Sequence, residues 1–247
     1  MLHYDFDWSI VMRPQFLSLL VDGLGRTIAL AAISGALSFV LGALLAAARL
    51  SPSAVVRTPA NALVEVVRNV PSLFWILFFY FVLPELMPAP IGRALHEWPS
   101  YAFVSGVLGL SIDNGAYLSD ILRNGMARIP KGQREAAASC GMSIWQECVW
   151  VLCPQSLRMM MPAIANRMVH NFKNTSLCIA IALPELTWAT QQIESITFKG
   201  LEVTAVSTLT YATGSLLIAF ALSRLSARRT AASTTARRHE EQCDACR

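Results

Sequence analysis

Two stretches of this chain run for longer without a charge than the surface of a soluble protein normally allows. Residues 27–48 hold no Asp, Glu, Lys or Arg over 22 positions, and residues 203–222 hold none over 20. An amphipathic helix of a soluble protein keeps one polar face. A bilayer's hydrocarbon core, by contrast, takes about 20 apolar residues to cross as a helix. Composition agrees: of 247 residues, 54% are hydrophobic and 15% are charged, against about 25% charged in an ordinary soluble domain. The fold class this predicts is an all-α membrane protein.

Three further segments are apolar but interrupted. Residues 63–83 begin with Glu65 and Arg68, residues 101–122 include Asp113 and Asp120, and residues 159–183 contain Arg167, His170 and Lys173. Taken as spans they bring the expected number of membrane helices to five. The basic residues test that count, because cytoplasmic segments are enriched in Lys and Arg. With the N-terminus outside, 14 of the 20 basic residues fall on inside segments (49–68, 123–158 and the tail from 224) and 4 on outside ones. Four or six spans would leave a strongly basic segment outside. This topology also accounts for the net charge of +4 without a nucleic-acid partner.

The expected organisation is an extracytoplasmic segment over 1–22, a membrane domain over 23–226 and a disordered cytoplasmic tail over 227–247. No cleavable signal peptide is expected, since Asp5 and Asp7 precede an apolar run too long for one. The four prolines at 84, 88, 90 and 99, with Trp98 and Tyr101, mark an outside loop re-entering the membrane. The tail holds Arg228 and Arg229, suited to anionic lipid. It also holds a CxxC at Cys243 and Cys246 near His239, one ligand short of an ordinary zinc site. Cys140, Cys148 and Cys153 lie on the cytoplasmic side, where thiols stay reduced.

The cytoplasmic loop 123–158 is too patterned for a connector. An Ala- and Glu-rich helix is predicted over 133–140, with Gly141 at its left-handed end. Ser143 then caps a second helix with Gln146 in the capping-box position, and Pro154 is expected to stop that helix. Glu135, Ala136 and Ala137 are followed by three residues, Gly141, nine more to Val151, and then Pro154. This resembles the EAA loop of permeases in ATP-binding-cassette (ABC) importers, with Val151 in place of Ile and Cys153 in place of Leu. Segments around Arg68-Asn69-Val70-Pro71, Ala116-Tyr117, Arg123-Asn124-Gly125 and 173–177 are similar to the polar amino-acid branch. The opening residues 4–8 and residues 80–86 resemble permeases for glutamate and aspartate. The likeness spans about residues 23–224.

The resemblance implies a type I importer permease with five helices in the bacterial cytoplasmic (inner) membrane. It implies partners: two ABC ATPase subunits, a second permease identical or related, and an extracytoplasmic amino-acid-binding protein, all within membrane lipid. Glu135, Ala136, Ala137, Gly141 and Pro154 (within about 132–154) would couple the chain to the ATPase. The chain itself would catalyse no reaction and hold no cofactor or metal. ATP would be used by its partner, since no Walker loop occurs here.

The fourth expected span supplies a candidate path. At 100° per residue, Arg167, His170, Lys173 and Asn174 share an arc of about 120°, with Thr175 next in sequence. Charges at bilayer depth are costly and face wet cavities, so a positive face suits an anionic cargo; the alternative is a helix that begins later, with Arg167 snorkelling at the cytoplasmic surface. The competing readings are an ion-coupled secondary transporter, a scaffold without transport activity, or a hydrolase using Ser176 and His170. The first would leave the patterned loop unexplained, and such transporters usually have more helices and internal inverted repeats.

Overall fold

In the computed structural model, residues 5–244 are described, with side chains as far as Arg224 except that of Ile144. Every described element is helical. A short α1 (Ser9–Met12) leads to α2 (Pro14–Arg49), which opens on a proline at its first turn, where the missing N–H costs nothing. At 36 residues α2 is about 54 Å long, so it overruns the predicted 27–48 at its outer end by more than three turns.

The expected second span is not one straight helix. It divides into α3 (Ala54–Asn69) and α4 (Ser72–Leu77), and the chain bends by 104° between them. Pro71 is the cause. Its ring excludes the helical conformation at the preceding residue, and Val70 is extended at φ −99°, ψ 130°. Trp75 braces the elbow by donating its indole N–H to the Val67 carbonyl at 3.2 Å. The helix of α4 continues through a π-helical turn (Phe78–Val82) into α5 (Leu83–Leu86), so Pro84 lies inside a helix and does not end it. The π turn releases the Phe79 carbonyl, which accepts from the Tyr101 hydroxyl at 2.5 Å. Part of the proline-rich segment expected outside forms α6 (Ala89–Glu97).

The central helix is α7 (Tyr101–Ala127), and α2 lies along it closely enough to leave no room for a side chain at Gly42. A Cβ on Gly42 would come within 2.7 Å of the Leu118 Cβ, and one on Gly109 within 2.7 Å of the Ile76 backbone in α4. Such close approach is how helices pack in lipid, with polar groups as cross-links. Asn114 donates to the Ser38 hydroxyl at 2.6 Å, and Asn171 to the Ser34 hydroxyl at 2.9 Å.

Next come α8 (Lys131–Ser139) and α9 (Ile144–Gln146), a second π turn (Glu147–Leu152), and α10 (Cys153–Asn174). The prediction that Pro154 stops the second hairpin helix is corrected here. The helix runs through Pro154 and into the membrane segment without a break. A proline ring meets the carbonyl four residues back, here that of Trp150, and the π turn widens the helix at that point. The first π turn stands in the same relation to Pro84, ending two residues before it. After Asn174 the chain tightens to a 3-10 helix (Thr175–Ile181) and ends at Ala182, which is left-handed at φ 51°. Then follow α11 (Leu186–Thr197) and α12 (Gly200–Asp244). Of the tail residues expected to form a partial zinc site, His239 and Cys243 lie beyond the described side chains, and Cys246 lies beyond the described backbone.

Among the described residues, three helices are long and apolar enough to cross a membrane: Pro14–Arg49, Glu147–Ile181 and Gly200–Arg224. The bent pair Ala54–Asn69 and Ser72–Leu86 makes a fourth if counted as one span. The 27-residue α7 is long enough at about 40 Å, but it buries Asp113, Asn114 and Ser119 among its neighbours.

Candidate coupling hairpin and polar translocation face

The hairpin is built as its residues dictate. The left-handed Gly141 (φ 76°) closes α8. The Met142 N–H returns to the Ala137 carbonyl at 3.2 Å and the Gly141 N–H to that of Ala138 at 2.9 Å, a Schellman pairing. The Ser143 hydroxyl accepts from the Gln146 N–H at 3.3 Å, while the Gln146 side chain accepts from the Ser143 N–H at 2.9 Å. The two legs are tied by Arg134 and Glu147 at 2.9 Å. Ala137 turns inward, whereas Glu135, Ala136, Gly141 and Pro154 are exposed, as are Trp145 and Trp150. The hairpin thus offers a surface to another protein.

The second site is a ladder of polar groups on one face of α7. Asp113, Asn114, Tyr117 and Asp120 recur at three- and four-residue spacing. The Arg167 guanidinium pairs with Asp113 at 2.5 Å, donates to the Asn114 carbonyl oxygen at 2.6 Å, and stacks 3.9 Å from the Tyr117 ring centroid. Arg68 lies 5.2 Å from the same ring and pairs with Asp120 at 2.6 Å. The other oxygen of Asp120 takes the buried Arg49 at 2.6 Å, and Arg49 also binds Asn61 and Ser119. Four helices, α2, α3, α7 and α10, are knitted by this ladder.

The predicted path residues are thereby sorted. Arg167 is enclosed in the ladder, with its side chain 11% exposed. His170 is exposed, its Nδ1 3.3 Å from Arg167. Lys173 is exposed and, among the described residues, has no carboxylate within ion-pair distance. Asn174 donates to the Ser72 hydroxyl at 3.3 Å. Thr175 is fully buried, and its hydroxyl returns to the Phe172 carbonyl at 2.7 Å. Ser176 is turned to the Lys173 carbonyl at 2.8 Å rather than to His170, which gives the hydrolase reading no dyad. The Asn174–Ser72 contact brings two helix breaks together: the last residue of α10 and the first of α4.

Sequence reasoning missed the partners of Arg167. Asp113 and Asp120 were visible as costly charges in an apolar run, the signal that asks for a partner, but the pairing spans 54 residues and four helices. It also missed Glu185. This fully buried carboxylate accepts from the Trp188 N–H at 3.0 Å, the Thr27 hydroxyl at 3.2 Å and the Tyr211 hydroxyl at 2.6 Å, so α2, α11 and α12 meet on it. Among the described residues, no group of three or more His, Cys, Asp or Glu is placed to hold a metal.

Comparison with known proteins agrees with this architecture. Residues 38–231 match the family described as binding-protein-dependent transport system inner membrane component. The chain is 31% identical to the glutamine transport system permease protein of Escherichia coli (strain K12), over 90% of this chain and 97% of that one. It is 32% identical to a glutamate/aspartate import permease protein of Escherichia coli O157:H7, over 80% and 90%. In structure it is similar to a crystallised amino acid ABC transporter with histidines (TM-score 0.78, 25% identity, 91% of this chain and 100% of that one). It also shares its fold with the inward-facing MetNI methionine ABC transporter (TM-score 0.71, 21% identity, 88% and 99%). The chain belongs to the family of binding-protein-dependent transport system inner membrane components, and it is a membrane permease subunit of an ABC importer for amino acids.

Proposed function

We propose that the cargo is an acidic amino acid, glutamate or aspartate, and that it passes along the face where the two helix breaks meet. The observation that carries this reading is the juxtaposition of the α4 and α10 ends at Ser72 and Asn174, with the Lys173 ammonium and His170 exposed alongside. Broken helices supply free backbone donors and acceptors inside a bilayer, and Lys173 supplies the counter-charge an anionic side chain needs once water is removed. Arg167 contributes positioning instead of net charge, because Asp113 neutralises it. Asn174 is the hydrogen-bonding partner for the cargo's backbone groups. Thr175 acts through the break it helps to form.

In this reading α7 is the fifth span, sheltered from lipid by the other four. A second permease, identical or related, completes the path. Two ATPase subunits dock on the hairpin at Glu135, Ala136, Ala137 and Gly141, and an extracytoplasmic binding protein delivers the amino acid. Closure of the ATPases moves the hairpin, and the unbroken helix through Pro154 passes that motion to the 167–174 face.

A second cargo is favoured by one specific observation. Pairing of Arg167 with Asp113 leaves the face less positive than the sequence implies, which suits a zwitterion with a neutral amide, such as glutamine. Competition separates the two. With the reconstituted transporter, unlabelled glutamate displacing labelled glutamate far better than glutamine does supports the acidic cargo, and the loss of that preference in Lys173→Ala ties it to this face. A preference for glutamine in the unaltered protein refutes the acidic reading.

A further inference from the structure

The elbow between the hairpin and the fourth span holds two thiols in contact. Cys148 lies in the second π turn and Cys153 directly follows it, and their Sγ atoms are 3.8 Å apart. The contact depends on the π turn. In an α-helix, residues five apart diverge around the axis, whereas i→i+5 hydrogen bonding stacks them. Both side chains are half-buried. Cys140, by contrast, is exposed at the end of α8, and Cys178 is fully buried in the core.

We propose that Cys148 and Cys153 form an oxidant-sensitive dithiol that closes to a disulfide across the π turn when a peroxide reaches it. In the first step the thiolate of one cysteine attacks the peroxide O–O bond, giving a sulfenic acid and releasing an alcohol or water. In the second, the other thiol displaces water from that sulfenic acid. Two thiols and one peroxide (ROOH) thus yield one disulfide, one ROH and one water, with two electrons passing from sulfur to oxygen. The sulfurs close by about 1.8 Å to reach the bonded distance of about 2.0 Å, within reach of side-chain rotation. Cytoplasmic disulfides are rare and, where they occur, are mostly transient and regulatory. Their placement gives this one a consequence, which rests on the coupling reading of the hairpin. A covalent staple across residues 148–153 would fix the helical turn that precedes Pro154 and joins the hairpin to the membrane face.

The test uses the assembled transporter in membranes, treated with hydrogen peroxide and then alkylated. The expected result is a loss of about 2 Da in the peptide carrying residues 135–158, with Cys140 still alkylated, reversed by dithiothreitol, abolished in Cys148→Ser and Cys153→Ser, and retained in Cys140→Ser. Phenylarsine oxide, which bridges adjacent thiols, should bind within residues 135–158 and lose that site in either serine variant. Uptake is compared before and after oxidation within each variant; it falls severalfold in the wild type and stays level in Cys148→Ser. A disulfide that involves Cys140, or two thiols at 148 and 153 that remain alkylatable while Cys140 oxidises, overturns the proposal. Disulfide formation with unchanged uptake upholds the dithiol and refutes the coupling role of the elbow.

Discussion

Removing one member of the Arg167–Asp113 pair should harm this protein far more than removing both. Asp113→Ala leaves the Arg167 guanidinium, 11% exposed, without its carboxylate at 2.5 Å. Stripping one partner from a buried pair costs about 3–5 kcal/mol, whereas replacing both with apolar groups of similar size is often neutral. The Tyr117 ring at 3.9 Å and Asn114 at 2.6 Å offset part of that cost in Asp113→Ala, which puts the expected loss near 3 kcal/mol. At about 2–4 °C per kcal/mol for a chain of this size, the midpoint in detergent should drop by roughly 6–12 °C. Arg167→Met should cost a similar amount by stranding Asp113. Asp113→Ala combined with Arg167→Met should bring the net cost down to about 1 kcal/mol, for a coupling of about 5 kcal/mol. The assay is thermal unfolding of the purified complex for the four members of the cycle. Additivity within about 0.5 kcal/mol would refute the pairing and, with it, the claim that Arg167 contributes no net charge to the path.

Gly141→Val should abolish transport while insertion and expression persist, because a β-branched residue at φ 76° costs about 1–2 kcal/mol at the hairpin turn; normal uptake in that variant would make the hairpin a passive surface. Gly109→Ala places a methyl 2.7 Å from the Ile76 backbone, which cannot step aside as a side chain can, so it should cost about 1–3 kcal/mol and lower the yield of folded protein, read by size-exclusion chromatography. At the exposed N-terminal end, the Ser9 hydroxyl bonded to Asp7 at 2.5 Å holds that carboxyl below its ordinary value. A depressed carboxyl stabilises above its unfolded value, near pH 4, and loses that contribution as pH falls through the folded one. The protection of the α1 amides, taken relative to their intrinsic exchange rate, should therefore fall below about pH 4, and Asp7→Asn should flatten the profile.

Much of this was legible in the chain before folding. The charge-free runs within α2 and α12 announced themselves through composition alone. The turn at Gly141, Ser143 and Gln146 could be read because every contact that forms it lies within six residues. What was misread involves proline or distance. Pro154 signals a stop in an α-helix, but a π turn accommodates it, and the difference depends on tertiary packing that sequence does not display. Pro71 carried the opposite signal, a break, inside a run apolar enough to pass for one helix. The helical wheel put Arg167, His170 and Lys173 on one face, but it could not see that α7 delivers Asp113 to the first of them from 54 residues away. Nor could it see that Thr175 turns inward where α10 gives way to a 3-10 helix.

The account stands or falls on energised, assisted uptake. The chain, reconstituted into liposomes with its ATPase and supplied with its binding protein, should accumulate labelled glutamate only when ATP is enclosed on the ATPase side and the binding protein is on the other. Omitting any of the three should return uptake to the level of empty vesicles. Accumulation driven by a pH or sodium gradient without ATP or ATPase would contradict the account and return the chain to the ion-coupled transporters.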